Sequence, residues 1–295
     1  MTNIEIERQQ RIHQLIKEKV AARVRSGELD VPVLPHVAAQ VMALTNDPNV
    51  SAKDFVALLE KDQQLSARLI KIASSPFYAG MMKVSSIQRA IVVVGMKTLH
   101  DLVFSVAMGE RVFRSKRFVA SMARVWEHSL AVATIAQEIA KVRHVSGENA
   151  FLAGLLHDIG KPLLIETLER ISKELGDRVP FEEVFLDEVM RDYHTVVGGL
   201  VAKAWRFSDS LYATIRFHHE YEQAGDQREL ALLVHVANLF ARYLGLSSYS
   251  QEAEFDILAA PGLQAMQFSD AEIQALLVRV PKLSRELISS FQLVS

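Results

Sequence analysis

From Pro35 to Tyr243, apolar residues recur mostly three and four positions apart, and this spacing predicts a chain of short, closely spaced helices. "HVAAQVMALTNDP" presents one apolar face and stops at Asn46, Asp47 and Pro48. "SAKDFVALLEKD" opens on Ser51, an N-cap candidate. "QQLSARLIKIASSP" ends at Pro76, "SSIQRAIVVVG" ends at Gly95, and "MKTLHDLVFSVAMGERVF" follows. "AIVVVG" has the composition of a strand, but no alternating run stands nearby to pair with it, so it reads as a buried helix. Residues 112–118, "VFRSKRF", are basic and read as a solvated junction. Further helices are predicted over 121–143, through "AFLAGLL" to His157, and over 181–190, 193–205, 209–219 and 228–244. Before this body, residues 4–25 place Ile4, Ile12, Ile16, Val20 and Val24 among charges, as an exposed amphipathic helix does; such a helix packs on its own domain more often than on another subunit. "GELDVPVLP" then forms a hinge. The fold class is all-α, a multi-helical bundle whose short connections pack neighbouring helices antiparallel. Four parts follow: an N-terminal helix over 1–28, a helical subdomain over 29–117, a second helical part over 118–250, and C-terminal helices over 251–295.

Composition narrows the function classes. The chain has 295 residues, 49% of them apolar and 23% charged, which suffices for a sizeable core. Lys and Arg number 33 against 35 Asp and Glu, so no net positive field marks a nucleic-acid or anionic membrane partner. The one basic stretch is "ERVFRSKRFVASMAR". The chain has no cysteine, which excludes disulfides, thiol nucleophiles and thiolate zinc sites and fits a reducing compartment. "MTNIEIERQQRIHQLIKEKV" lacks the apolar centre of a signal peptide, and the apolar runs are too short to span a bilayer. The expectation is a cytoplasmic protein with no membrane partner and no nucleic-acid partner.

Chemistry concentrates in the histidines. Of ten, five stand out, each on or at the end of a predicted helix in the second half: His128, His157 beside Asp158, His194, and the adjacent His218 and His219. Imidazole and carboxylate suit borderline divalent metals such as iron, manganese, zinc or nickel, and a bundle can aim side chains from several helices at one interior point. Successive helical residues point about 100° apart. His157 with Asp158, or His218 with His219, can therefore serve one ion only where a helix ends. "HDIGK" reads as such an end, because Gly160 and Pro162 follow. A single histidine on an apolar helix is more often a hydrogen-bonded core residue than a ligand; the group, not any one member, points to metal.

The order H…HD…H…HH, carried by His128, His157–Asp158, His194 and His218–His219, resembles the HD superfamily of metal-dependent phosphohydrolases. The first half sharpens the likeness. Leu34–Pro35, "DQQLSARLIKIA", "SSIQRAIVVVGMKTL", "AFLAGLLHDIGK" and "HTVVGGLVAKAW" resemble, in order and spacing, the HDOD domains of bacterial signalling proteins, over about residues 30 to 245. The resemblance implies an HD-like second half packed against an N-terminal helical subdomain, in a module of bacterial signal transduction that usually lacks demonstrated activity. It implies His128, His157 and Asp158 as primary metal ligands. His194, His218 and His219 would form a second metal position or contact phosphate, and Lys161 would meet a phosphate oxygen. In an active enzyme, Asp158 and Lys161 would take the catalytic roles.

Three departures weigh against activity. The late Asp of the HD pattern corresponds to Asn238, whose neutral oxygen compensates less of a dication's charge than a carboxylate. A glutamate expected four residues before the first histidine is Arg124. "YEQAGDQREL" stands where a Gly-Tyr-Pro signature would follow the paired histidines, which disfavours cyclic di-GMP hydrolysis. The expectation is a regulatory module that keeps a divalent metal site with weak or absent hydrolysis. Its partner would be a signalling protein or a small phosphorylated ligand, and homo-oligomers are compatible with the amphipathic N-terminal helix. The alternative is a phosphohydrolase acting on a nucleotide or another phosphoester.

Overall fold

The computed structural model describes residues 3–45, 51–80, 82–143, 149–176, 182–250 and 254–292, and every regular element among them is helical. The first half comprises α1 (Asn3–Ser26), α2 (His36–Thr45), α3 (Ala52–Leu59), α4 (Gln63–Ala73), α5 (Pro76–Ala79), α6 (Ile87–Val94) and α7 (Met96–Arg111). The second half comprises α8 (Val119–Arg143), α9 (Ala150–Leu156), α10 (Gly160–Glu174), α11 (Glu183–Ala204), α12 (Asp209–Phe217), a 3-10 turn (Tyr221–Gln227) and α13 (Arg228–Tyr243). α14 (Pro261–Ala265) and α15 (Asp270–Gln292) complete it. The expected stop at Asn46–Pro48 and His144 lie outside the described residues.

Local signals set the helix starts. Ser51 caps α3 as expected: its hydroxyl accepts from the Asp54 N–H, and Asp54 returns a bond to the Ser51 N–H at 2.9 Å. Asp62, Ser86 and Ser208 cap α4, α6 and α12 with a single bond each, their side chains accepting from the N–H groups of Leu65, Arg89 and Leu211.

Two apolar cores follow. The smaller, from α2 to α7, centres on Phe55, Leu59, Leu69, Ile72, Leu99 and Leu102. The larger surrounds α8, which packs on α9, α13 and α15, while α10 lies on α11 and α11 on α12. α1 is exposed on one face only and docks the other on its own domain, as the amphipathic pattern suggests. Its Ile16 and Val20 are fully buried in the larger core against α10 and α11, and Lys17–Glu188 and Arg23–Glu174 ion pairs hold its outer face.

Four expectations are corrected. "AIVVVG" lies in a helix, but only Ile87 and Ala90 of α6 are buried and Val92 is 71% exposed. Residues 181–190 and 193–205 do not form two helices: α11 runs through "RDY", because no glycine or proline interrupts it there. Gly160 and Pro162 do not stop the chain in helical form; they begin α10, where a proline in the first turn forfeits no helical hydrogen bond. Finally, the 112–118 junction is not simply solvated. Phe113 and Phe118 enter the larger core, and Ser115 hydrogen-bonds Glu169 of α10.

No single helix among the described residues is long and apolar enough to cross a membrane.

Candidate metal centre

The site is built where two helices end. α9 stops at Leu156, and α12 stops at Phe217. His157–Asp158 and His218–His219 therefore stand just past helix termini, and both members of each pair reach the same interior region. Glycine permits the approach of the supporting backbones. A Cβ on Gly154 would lie 2.7 Å from Ala133 Cα, so α9 lies directly on α8. A Cβ on Gly160 would lie 2.0 Å from the His194 carbonyl oxygen, so α10 begins against the backbone of α11.

Two donor groups result: His128, His157 and Asp158 in one, and His194, His218 and His219 in the other, with the donor atoms of each group within 4.8 Å of one another. Asp158 stands between them. Its Oδ2 lies 3.4 Å from His128 Nε2 and 3.3 Å from His157 Nε2. Its Oδ1 lies 3.4 Å from His194 Nε2 and 3.8 Å from His218 Nε2. Across the second group, His194 Nε2 is 3.4 Å from His218 Nε2 and 3.1 Å from His219 Nε2.

The outer nitrogens fix the rings. Nδ1–H of His128 donates to the Leu246 carbonyl at 2.7 Å, that of His157 to Gly154 at 2.7 Å, that of His194 to Met190 at 2.7 Å, and that of His218 to Ile215 at 3.2 Å. A carbonyl can only accept, so Nδ1 carries the proton and Nε2 faces inward, the orientation that metal-ligating imidazoles take.

Burial sets the charges. His128, His157, Asp158, Lys161, His194 and His218 are at most 2% exposed; His219 stands exposed at the rim. Desolvation pushes His128 and His194 down to about 3, although Asp158 pulls each upward, and it holds His218 well below its ordinary value. Burial alone would raise Asp158, but His157 and Lys161 outweigh it and hold the carboxyl well below its usual range. Burial would lower Lys161, but Asp158 outweighs it and the ammonium titrates above its ordinary value.

Do these residues fit a metal? Asp158 Oδ1, His157 Nε2 and the Oδ1 of Asn238 on α13 are buried without a hydrogen-bond partner, and such atoms demand a compensating group. Inward imidazole nitrogens around one carboxylate form a donor set for a borderline divalent ion. The residues fit. A competing cation is also present: Lys161 Nζ lies 2.5 Å from Asp158 Oδ2, 2.7 Å from Ser248 Oγ and 4.1 Å from the Tyr249 ring centre.

The segment that supplies these last contacts covers the site. Leu246 accepts from His128, Ser248 and Tyr249 hold Lys161, and Ser250 donates through its N–H and hydroxyl to Asp187 Oδ2 at 2.8 and 2.6 Å. None of Asp187, Ser248 or Tyr249 stood out in the sequence. His235 was also missed: its Nδ1–H donates to the His218 carbonyl at 2.8 Å and fixes the paired histidines. Its only signal was its position in "LLVHVANLF", three residues before Asn238. Arg124 does not enter the site. It turns to Glu183 at 3.0 Å, so the charge repulsion that an inward arginine would cause does not arise.

The metal-free protein should lose stability in mild acid. Unfolded histidine titrates near 6.5, and His128 and His194 titrate near 3 when folded. Below pH 6.5 the unfolded chain takes up protons that the folded one refuses. The stability is whole above that pH and falls toward pH 3, by up to about 1.4 kcal/mol per pH unit for each ring. Urea midpoints measured at pH 7 and pH 5 in the presence of a chelator check this; equal midpoints would contradict neutral buried rings.

The HDOD domain profile matches residues 31–221. A protein of Treponema pallidum (strain Nichols) with no assigned role is 29% identical over 261 residues, covering 84% of this chain and 48% of its own, so the chain spans about half the length of that relative. The crystal structure of an HDOD domain protein of unknown function from Geobacter sulfurreducens aligns over 94% of this chain and 99% of its own, with TM-score 0.72 and 23% identity. A protein of Shewanella amazonensis SB2B, provisionally named a metal-dependent phosphohydrolase, aligns over 95% and 99%, with TM-score 0.71 and 21% identity. At these identities the structural likeness is one of fold.

Proposed function

This chain belongs to the HDOD domain family, and from that premise we propose that it is a regulatory module of signal transduction, built around a divalent metal centre that binds and organises rather than turns over substrate. The observation that carries this reading is the state of Asp158. One of its oxygens is already engaged by the Lys161 ammonium within a site that the 246–250 segment covers. A divalent ion there would be held by His128, His157 and Asp158, or by His194, His218 and His219, and would supply Lewis acidity toward a phosphoryl oxygen. This chain's own residues do the rest: backbone carbonyls orient the rings, burial keeps His128, His194 and His218 unprotonated, and Lys161 balances the carboxylate. Asn238, where a further carboxylate would add charge, offers only a neutral oxygen.

The expected result is no phosphoester hydrolysis above the metal-only background when the protein is loaded with Mn²⁺, Fe²⁺, Zn²⁺ or Ni²⁺. Turnover that disappears in Asp158→Asn would overturn the proposal and favour the second reading, a metal-dependent phosphohydrolase. The position of Asp158 between two donor groups supports that alternative. Asn238→Asp separates the two further. Added charge should tighten divalent binding by about 10-fold, on the order of 1.4 kcal/mol, read by calorimetry, without creating turnover.

A further inference from the structure

A cavity of about 950 Å³ opens between the two cores, walled by α4, α7, the 111–116 segment, α8, α10 and α15. Its charges are unequally satisfied. Of the four glutamates on its wall, Glu110 and Glu166 pair with Arg68 and Arg170, while Glu127 and Glu169 are hydrogen-bonded by the neutral Gln292 and Ser115. Four exposed cations on the same wall, Arg111, Arg114, Lys116 and Lys173, have no side-chain partner among the described residues. The formal charges nearly balance, yet among the described residues four cations without a partner stand against two carboxylates that lack a cationic one, so the groove presents an excess of positive charge.

The apolar part of the wall is aromatic and held in place. Trp126 lies against α7, where a Cβ on Gly109 would come within 2.9 Å of the indole. It also sits 4.8 Å from the Phe113 ring and 5.7 Å from Phe291. Trp205 lines the cavity too, its Nε1–H donating to the Pro32 carbonyl at 2.7 Å. The volume falls within the range of roughly 300–1,000 Å³ usual for small-ligand sites. A preformed aromatic wall beside unpaired arginines and lysines suits an anion with a planar apolar body.

We propose that this groove binds a nucleoside polyphosphate, its phosphates on Arg111, Arg114, Lys116 and Lys173 and its base against the Trp126 wall. The site is separate from the histidine cluster but touches its back. Ile159 and Pro162 line the groove, and they are the chain neighbours of Asp158 and Lys161. An occupant would therefore press on the turn that carries the metal ligands, a position suited to regulation.

Both tryptophans of the chain line the groove, so intrinsic fluorescence reads it directly. The full chain, with chelator present, is titrated with ATP, with GTP and with inorganic triphosphate. The proposal expects a saturable change with at least one nucleotide below about 1 mM and weaker binding of triphosphate. Arg111→Glu and Lys116→Glu, both at exposed positions, should each weaken nucleotide binding several-fold, whereas His219→Ala should leave it unchanged. Absence of saturation with both nucleotides would overturn the proposal and leave the groove to a protein partner. Triphosphate binding as tightly as nucleotide, or loss of binding in His219→Ala with none in the groove variants, would overturn it equally. Because no metal is added, the outcome does not depend on the reading of the histidine cluster.

Discussion

Asp158→Ala should strip divalent metal from the protein and destabilise the fold at the same time. Asp158 is 1% exposed and lies within 3.8 Å of four imidazole nitrogens as well as the Lys161 ammonium. It is the one residue that faces both donor groups, so its loss removes the only carboxylate from a set otherwise made of imidazole rings. The expected fall in divalent affinity is at least about 100-fold, beyond the 10- to 100-fold typical of losing an outer partner. The same change leaves Lys161 buried, with only Ser248 and the Tyr249 ring for company. Breaking a buried pair from one side costs about 3–5 kcal/mol, because the remaining charge is uncompensated. Asp158→Ala combined with Lys161→Met should therefore recover much of the stability and none of the metal. Elemental analysis after loading and purification, paired with urea unfolding, separates the two effects. Stoichiometric metal in Asp158→Ala, or a double variant no more stable than the single one, would sink this account of the carboxylate.

What the sequence made legible was whatever has a local cause. Ser51 caps α3 because its hydroxyl needs only its own next turn. The paired histidines were readable as ligands on one condition, that helices end at Leu156 and Phe217, and both do. Helix positions drew His128, His157, Asp158, His194, His218 and His219 into one group, the resemblance divided them into two sets, and the donor atoms of each set lie close together in the fold. What stayed hidden depends on partners far along the chain. His128 bonds a carbonyl 118 residues away, and Lys161 a hydroxyl 87 residues away, and "GLSSYS" carries no sign of either. α10 was missed for a different reason. Glycine and proline are helix punctuation in both directions, and residues 160–162 use them to start a helix rather than to stop one.

Gly160 is also where the fold and the site are most tightly bound together, and Gly160→Ala should be among the most damaging single-methyl additions in the chain. At an open helical position this change would stabilise by up to about 1 kcal/mol, since alanine is the better helix former. Here the added Cβ would lie 2.0 Å from the His194 carbonyl oxygen and 2.6 Å from the Gly198 nitrogen. Both are backbone atoms, so no rotamer can relieve the contact; α10 and α11 must move apart. Overpacking of this kind costs roughly 1–3 kcal/mol and more where backbone must shift, so a net loss of about 3 kcal/mol or more is expected in urea unfolding. Gly198→Ala is the internal control. Its Cβ would meet the Ile215 Cγ2 methyl at 2.7 Å, a side-chain atom that can give way more readily, so its loss should be the smaller of the two. The displacement also has a chemical reading. His194 rides on α11 and Asp158 sits two residues before Gly160, so separating the helices lengthens the 3.4 Å approach of His194 Nε2 to Asp158. Gly160→Ala should accordingly weaken divalent binding even at temperatures where it stays folded, while Gly198→Ala should do so less. A Gly160→Ala protein as stable as the parent, with unchanged metal affinity, would mean that α10 and α11 do not meet backbone to backbone and that the close approach of the two donor groups has another cause.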